Sequence, residues 1–246
     1  VNNYTITDQT STTADVTAKA LTATASASNK TYDASDTATT TLTLSGFIGT
    51  ETVTSTNSST FNDKNVGTGK TVTVNSITLA DGTNGGLAAN YSISTGQTTT
   101  ADVTAKSLTV SGITASDKTY DGNAVATLNT GSVLYSGLIN GDTFSGTYTG
   151  AFNNANAGTS KTVTITPSYT GADVSNYSVT DHSTITADIA VKALTATASA
   201  SNKTYDGTTT ATTTLTFSGL VGSETLGQTV GSTFNNKNVG TGKTVT

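Results

Sequence analysis

The chain has 246 residues, no cysteine and a formal net charge of −5, from 16 Asp and Glu against 11 Lys and Arg. This charge balance argues against a nucleic-acid partner, which needs a basic surface. The absence of cysteine excludes disulfides and thiolate metal sites. No apolar run approaches about 18 residues, so no membrane insertion is expected in this segment.

Threonine is the most abundant residue, and serine, alanine and glycine are also frequent. Because threonine is β-branched, this polar composition favours strands, with low-complexity disorder as the competing interpretation. Methionine and tryptophan are also missing. The absence of these readily oxidised residues suits a protein that is exposed to oxidants outside a cell.

The first segment, beginning "NYTITDQTSTTADVTAK" at Asn3, recurs from Asn90 and from Asn176, at steps of 87 and 86 residues. This period is too long for a solenoid coil and suits a small domain. The lysine that closes each copy makes a natural boundary. The predicted organisation is 1–18, the C-terminal strands of a preceding repeat; 19–105, repeat A; 106–191, repeat B; and 192–246, a second, incomplete repeat A.

Short strands are predicted along each repeat. Apolar residues alternate with Thr and Ser from Leu21 to Ala27, and "TLTL" at 41–44 and "TVTV" at 71–74 repeat the pattern. No segment has a convincing helical stripe. We expect an all-β chain of tandem immunoglobulin-like sandwiches, with cores built around Leu42, Phe61, Val72 and Tyr91. A β-grasp-like repeat, which needs a short helix, is the alternative.

Repeat B contains one more residue than repeat A in its first strand. The inward phase of Leu108 and Val110 resumes one residue late at Ile113, beside Gly112. This shift predicts a β-bulge.

The junctions between repeats contain no flexible spacer. "ADVTAKALTATA" passes from the last strand of one repeat to the first strand of the next. A flexible linker would be rich in Gly, Ser or Pro, so we expect an elongated, stiff rod.

A Lys-Thr-Tyr-Asp segment follows the first strand of every repeat and ends in a turn. Asp-Gly suits a tight turn, and the tyrosine ring can be buried at a corner. Ala34 replaces the glycine once, which indicates that the turn does not need a glycine-only conformation. The structural motif residues are Tyr32, Asp33, Tyr120, Asp121, Gly122, Tyr205, Asp206 and Gly207. The alternative is a ligand-contacting loop that exposes Tyr32, Tyr120 and Tyr205.

The sequence contains few residues that could form an enzyme active site. His182 is the sole histidine and has no counterpart in the other repeats, so a Ser-His-Asp catalytic triad could occur only once in the chain. Glu51 and Glu224 occupy matching loop positions, for which a solvated role is expected. We expect no enzyme, no catalytic residue and no cofactor-binding residue.

Calcium is the best metal candidate, because Asp, Asn and carbonyl oxygens are its preferred ligands. "NGDTFSG" from Asn140 and "LADGTNGG" from Leu79 hold such residues. Neither has the dense acidic spacing of a calcium loop, so we predict no metal site.

At the Tyr-Asp-Gly turn, the "FNDKNVGTGKTVT" segment from Phe61 and the Asn-Tyr strand, the chain resembles the YDG repeat. That repeat occurs in tandem in very large secreted bacterial proteins similar to filamentous-haemagglutinin-type adhesins. The resemblance covers essentially the whole chain and implies a β-rich repeat of an exported adhesin. It supplies no catalytic residues. Ala34 and Ala157 depart from the pattern.

The expected function is a structural stalk or filament segment of an adhesin, whose partners are neighbouring repeats. One alternative is a multivalent module that binds host or bacterial surface glycans or proteins. Another is a head-to-tail polymer, in which the N-terminal strands of one chain complete the last repeat of the next. For the ends of the chain, the competing interpretation is a window cut from a longer protein.

Overall fold

The computed structural model describes residues 3–246; Val1 and Asn2, at the start of the predicted segment 1–18, lie outside it. Strands form nearly all the regular structure of this range. The exceptions are two three-residue 3-10 helices, Ala88–Asn90 and Val174–Asn176. The all-β prediction is confirmed.

Nine strands lie between residues 19 and 104. They are β1 (Lys19–Ala20), β2 (Thr22–Ala27), β3 (Lys30–Thr31), β4 (Thr37–Ala38), β5 (Thr40–Ser45), β6 (Val53–Phe61), β7 (Gly67–Asp81), β8 (Tyr91–Ser92) and β9 (Thr98–Thr104).

Ten strands follow between residues 106 and 190. They are β10 (Lys106–Ser111), β11 (Thr114–Ala115), β12 (Lys118–Thr119), β13 (Val125–Ala126), β14 (Leu128–Asn129), β15 (Leu134–Ser136), β16 (Ser145–Phe152), β17 (Gly158–Thr170), β18 (Tyr177–Thr180) and β19 (Thr184–Ala190).

Four further strands are described in the last repeat. They are β20 (Thr195–Ala200), β21 (Thr210–Ala211), β22 (Thr213–Ser218) and β23 (Ser232–Thr233). The predicted strand segments at 41–44 and 71–74 lie within β5 and β7, so the alternation was interpreted correctly.

The chain divides into two compact units. The first comprises residues 1–109, 135–145 and 170–180, of which residues 3 onward are described. Its main sheet has the order β3-β9-β7-β6-β4, and β1 pairs with β8 and β2 with β5. β10 and β18 also pair within this unit.

The second unit comprises residues 110–134, 146–169 and 181–246. Its main sheet repeats the same order as β12-β19-β17-β16-β13. Three two-stranded sheets accompany it, β11-β14, β20-β22 and β21-β23. The repeat boundaries inferred from sequence stay a prediction, because each compact unit contains residues of more than one repeat.

The main sheets are mixed. β3 runs parallel to β9, and β12 runs parallel to β19. The antiparallel pairs include β4–β6, β6–β7 and β7–β9 in the first sheet, and β13–β16 and β17–β19 in the second. Periodic apolar residues predict a strand but not its direction, so the sequence could not reveal these parallel pairs. The immunoglobulin-like and β-grasp-like assignments both stay predictions.

Each unit has its own apolar core. In the first, Leu21, Val53 and Tyr91 form one buried cluster, against which Leu44 and Phe47 pack. In the second, the buried cluster is Ala126, Phe152, Val163, Ala187 and Ile189. Of the predicted core residues, Phe61, Val72 and Tyr91 are buried, and Leu42 is half-buried.

Gly112 separates β10 from β11. Leu108, Val110 and Ile113 are all buried, so the predicted one-residue change of phase is present. The chain changes neighbours here instead of bulging within one ladder: β10 pairs with β18, and β11 pairs with β14. Gly112 has φ +83°, and a Cβ there would lie 2.1 Å from the Ser132 carbonyl oxygen, so only glycine fits.

Candidate functional site at the tyrosine corner

The aspartate of each Tyr-Asp turn has the same two partners in all three repeats. Asp33 Oδ1 accepts a 3.0 Å hydrogen bond from the Ser35 backbone N–H and lies 2.7 Å from Lys30 Nζ. Asp121 is bonded in the same way by Asn123 and Lys118, and Asp206 by Thr208 and Lys203. The side chain therefore closes an Asx turn that a lysine three residues earlier neutralises.

These contacts lower the pKa of each carboxyl group. The Lys203 ammonium and the Thr208 backbone hold the pKa of Asp206 at about 2. Lys118 lowers the pKa of Asp121. Burial opposes the shift at Asp33, but hydrogen bonds from Lys30 and Ser35 outweigh it and the pKa is lowered. All three aspartates are thus ionised at neutral pH.

The residue after the aspartate is left-handed in every repeat. Its φ is +63° at Ala34, +80° at Gly122 and +79° at Gly207. Since an L-residue can adopt φ near +60° at a steric cost, Ala34 keeps the turn that glycine adopts freely.

Tyr32 is enclosed by residues of the following repeat. Its side chain is 1% exposed, and its hydroxyl donates to both carboxylate oxygens of Asp142, at 3.0 and 3.1 Å. The edge of the Tyr177 ring packs against it, with centroids 5.7 Å apart. Lys64 Nζ lies 5.8 Å from the centre of the Tyr32 ring.

Asp142 is the centre of this cluster. Its side chain is 3% exposed and accepts a 2.6 Å hydrogen bond from the Tyr177 hydroxyl. Lys64 Nζ lies 3.4 Å from Asp142 and 3.1 Å from Asp173. The lysine therefore bridges two carboxylates that would otherwise repel each other.

The pKa values of the cluster reflect these partners. Burial, followed by the Asp142 carboxylate, raises the pKa of Tyr177 to about 12. Burial also raises the pKa of Tyr32. Asp173 and Tyr32 raise the pKa of Lys64, and the Thr143 backbone N–H and Lys64 lower that of Asp173. At neutral pH the hydroxyls donate and the lysine is charged.

Asn176 joins the same two repeats beside this cluster. Its side-chain oxygen accepts a 3.0 Å hydrogen bond from the Val66 backbone N–H, and its amide nitrogen donates to Asn65 Oδ1 at 3.1 Å. Asn176 is buried. The Tyr-Asp turn and the Asn-Val-Gly loop of one repeat thus both contact the Asn-Tyr strand of the next.

A second corner repeats part of this arrangement. The Tyr120 hydroxyl donates to Glu224 Oε1, and the contact raises the pKa of Tyr120. A Cβ on Gly122 would lie 2.9 Å from Val221 Cγ1, so the turn itself touches the next repeat. Tyr120 and Glu224 also line a cavity of about 290 Å³.

The three motifs that meet at these corners are those of a known family. The family model for the YDG domain matches residues 17–101, 104–187 and 190–246. The chain belongs to the YDG domain family. No curated protein and no solved structure matches it.

One acidic position contacts a tyrosine in all three YDG repeats. Glu51, Asp142 and Glu224 each lie five residues after the glycine of a Ser-Gly pair. Glu51 Oε2 accepts a 2.7 Å hydrogen bond from the Tyr91 hydroxyl, as Asp142 does from Tyr177. Glu224 is exposed and Glu51 is half-buried, but their hydrogen bonds to tyrosines were not predicted; aligning both glutamates with Asp142 was the signal that could have shown these contacts.

The three YDG tyrosines differ in exposure. Tyr32 is buried, Tyr120 is half-buried and Tyr205 is 58% exposed, at the border of a cavity of about 790 Å³. Tyr205 is thus the most exposed of the three rings, and the burial of Tyr32 keeps its ring from a ligand. Ligand contact by these tyrosines stays a prediction.

The calcium candidates are engaged in other contacts. Asp142, in the first loop, bonds the two tyrosines and Lys64, and Asp81, in the second, accepts a 2.7 Å hydrogen bond from the Ala88 backbone N–H. Within residues 3–246, no group of three His, Asp or Glu side chains is placed to hold a metal. In the same range no helix is long and apolar enough to cross a membrane. His182 is exposed outside any strand.

Proposed function

We propose that this YDG chain is a structural segment of the stalk or filament of a secreted or surface-anchored bacterial adhesin, where it extends a binding region from the cell. The burial of Tyr32 against Asp142 carries the proposal. A residue that defines the motif is used to contact the neighbouring repeat and cannot reach a ligand.

The chemistry of the corner supports a fixed geometry between repeats. The buried carboxylate of Asp142 loses its contacts with Tyr32 and Lys64 if the repeats separate, and keeps only the hydrogen bond from Tyr177 of its own repeat. Such a contact favours one arrangement strongly, unlike a smooth apolar face. The partners of each repeat are then its neighbours in the same chain or filament.

The short connection between the first two repeats supports the same role. β9 ends at Thr104 and β10 begins at Lys106, so Ala105 alone separates them. A connection this short leaves little freedom for independent rotation. The extracellular location belongs to this proposal, as the lack of Cys and Met suits an oxidising environment.

Spin-label distances test the stalk role. With cysteines placed at the exposed Thr56 and Thr180, which belong to different repeats but to the same compact unit, double electron–electron resonance should give one narrow distance distribution. Asp142→Ala should broaden it. A broad distribution in the otherwise unchanged chain would contradict a stiff segment.

A binding assay tests the rival module. The stalk proposal expects the full chain to bind neither a glycan array nor immobilised host matrix proteins. Binding that Tyr205→Ala abolishes, with unfolding unchanged, would support the multivalent binding module instead.

A further inference from the structure

Repeat B contains a cleft between two of its strands, within the second compact unit. β13 pairs with β16 at two positions, ending with Ala126 opposite Gly150. The next position of this ladder would place Leu128 opposite Tyr148, but Leu128 lies opposite Ala115 of β11 instead. β14 and β16 therefore diverge, and a cavity of about 410 Å³ between Leu128 and Tyr148, the repeat B cleft, lies between them.

One wall of the repeat B cleft consists of backbone groups of β14. The Ser116 backbone N–H donates to the Thr127 carbonyl at 2.9 Å, so the backbone groups of Thr127 face β11. In an antiparallel pair, the backbone groups of successive residues point to opposite edges of the strand. The N–H and C=O of Leu128 therefore point away from β11 and towards the cleft.

The first repeat closes the same place with a side-chain amide. Counted from Tyr32 and Tyr120, Thr40 is the counterpart of Leu128. The Asn57 amide nitrogen donates to the Thr40 carbonyl at 3.4 Å, and the Thr40 hydroxyl donates to Asn57 Oδ1 at 2.5 Å. A carboxamide thus binds the strand edge that repeat B leaves open.

A second carboxamide lies one ladder position further along in the last repeat. Gln228 Oε1 accepts a hydrogen bond from the Leu215 backbone N–H, and Gln228 Nε2 donates to the Leu215 carbonyl, both at 3.1 Å. The counterparts of Gln228 and Leu215 in repeat B are Gly146 and Thr130, which both line the repeat B cleft. Gly146 has no side chain that could make this contact.

The geometry of the Gln228 contact identifies a class of ligand. One amide pairs with both the N–H and the C=O of a single residue, as a residue of an antiparallel strand does in a hydrogen-bonded pair. In a trans secondary amide, such as the acetamido group of an N-acetylated sugar, N–H and C=O point in opposite directions. One acetamido group cannot make both bonds, so an extended peptide fits better.

The lining of the repeat B cleft favours an uncharged peptide. None of the described residues that line it is charged, and Ala126, Leu128 and Tyr148 give it apolar surface. A charged side chain would be left without a partner there, which is costly. The missing side chain at Gly146 allows another backbone to approach closely.

We propose that the repeat B cleft binds an extended, uncharged segment of a partner polypeptide, which adds to β14 as an antiparallel strand. Backbone hydrogen bonds to Leu128 give the affinity, and the uncharged lining gives the selectivity. A folded protein whose strands are all paired offers no such segment. This binding is independent of the stalk role and would survive Tyr205→Ala, unlike ligand contact by the exposed YDG tyrosine.

A peptide titration followed by nuclear magnetic resonance tests the backbone contact. The probe is acetyl-Thr-Val-Thr-Val-amide, and the full chain is labelled with nitrogen-15. The amide signals of Leu128 and Thr130 should shift as the peptide is added. The same peptide with every backbone nitrogen methylated is the control and should shift neither signal, because it has lost its donors. Equal shifts with both peptides, or none with the first up to its solubility limit, would overturn the proposal.

N-acetylglucosamine distinguishes the other source of amide groups. The proposal predicts that this sugar leaves the Leu128 and Thr130 signals unchanged. Shifts of these signals by the sugar, without shifts by the peptide, would make the repeat B cleft a glycan site and overturn the peptide assignment.

A matched pair of variants tests the place of binding. Gly146→Gln supplies the carboxamide that Gln228 supplies in the last repeat, and should weaken peptide binding by about tenfold or more through competition for the strand edge. Gly146→Ala, which adds a Cβ without an amide, should leave the affinity nearly unchanged. Thermal unfolding of both variants verifies that they are folded. Equal affinities of the two variants for the peptide would contradict binding in this cleft.

Discussion

The phenol of Tyr32 donates to the carboxylate of Asp142, 110 residues further along the chain, with distances of 3.0 and 3.1 Å to its two oxygens. This bond connects the Tyr-Asp turn of one YDG repeat to the acidic loop of the next. Tyr177 donates to the same carboxylate. One acidic side chain therefore accepts hydrogen bonds from tyrosines of both repeats.

Removing the Tyr32 hydroxyl should destabilise the first unit. Tyr32→Phe leaves a buried carboxylate with one donor fewer, which should cost about 1–3 kcal/mol of unfolding free energy. Hydrogen exchange by mass spectrometry resolves the two units and measures the loss in β6, β7 and β9. Tyr205→Phe is the matched control, because Tyr205 is exposed, and should change stability by less than about 0.5 kcal/mol. Equal losses of stability in the two variants would be inconsistent with the buried Tyr32–Asp142 hydrogen bond.

Lys64 should matter more than its counterpart in the last repeat. Lys64→Met leaves Asp142 and Asp173 without their shared cation and should lower the denaturation midpoint, although less than the loss of a fully buried partner would, because Lys64 is 39% exposed. Lys237 has the same sequence context but is exposed. Lys237→Met should leave the denaturation midpoint unchanged; a comparable shift in both variants would argue against the bridge.

Alanine substitutions at Gly122 and Gly207, the residues after the turn aspartates, should distinguish the cost of backbone strain from the cost of a packing clash. Gly207→Ala should lower the free energy of unfolding by about 1–2 kcal/mol, because φ is positive there. A Cβ at Gly207 would meet no other atom within 4 Å, so this loss reflects backbone strain alone. Gly122→Ala should cost more, since its Cβ would also press on Val221. Thermal unfolding of the two variants compares them, and an equal loss would mean that the Gly122 contact is not tightly packed.

Acid should destabilise all three turns. Asp33, Asp121 and Asp206 have folded-state pKa values below their unfolded value of about 3.9. The contribution of Asp206 is therefore fully present above about pH 4 and is lost as pH falls towards about 2, and the contributions of Asp33 and Asp121 are also lost as pH falls. Denaturant midpoints measured between these limits should fall, and less so in Lys203→Ala. A flat profile would contradict the ion pairs.

Alkali, instead of acid, should destabilise the tyrosine cluster, because the tyrosine pKa values are raised. Burial and Asp142 raise the pKa of Tyr177 to about 12, and burial raises that of Tyr32. The contribution of Tyr177 is complete below the unfolded pKa of about 10 and is lost as pH rises to about 12, and the contribution of Tyr32 is also lost as pH rises above its unfolded pKa. Phenolate absorbance should show late-titrating tyrosines that Tyr177→Phe reduces in number. Titration of every tyrosine near pH 10 would contradict the buried cluster.

The sequence predicted local features well. Alternating apolar residues located β5 and β7, and Lys-Thr-Tyr-Asp marked the turn in each repeat. These features depend on neighbours within a few residues, which the sequence displays directly. The phase change at Gly112 was also visible because repeat A lacks it.

Contacts between repeats were not predictable in the same way. Nothing local indicates that Asp142 receives Tyr32 from the preceding repeat, or that β3 lies parallel to β9, since both depend on long-range topology. The tyrosine contacts of Glu51 and Glu224 were not predicted from the sequence. Only comparison of the three copies links these glutamates to Asp142.

A double-mutant cycle between Tyr32→Phe and Asp142→Ala tests whether the Tyr32–Asp142 hydrogen bond holds the two repeats together. The cycle separates the coupling between the two side chains from the effect of each substitution alone. Hydrogen exchange in β7 and β9 should give a coupling of about 1.5–3 kcal/mol, the range for a hydrogen bond to a charged group. Additive effects, with a coupling near zero, would contradict the conclusion that the YDG tyrosine holds one repeat to the next.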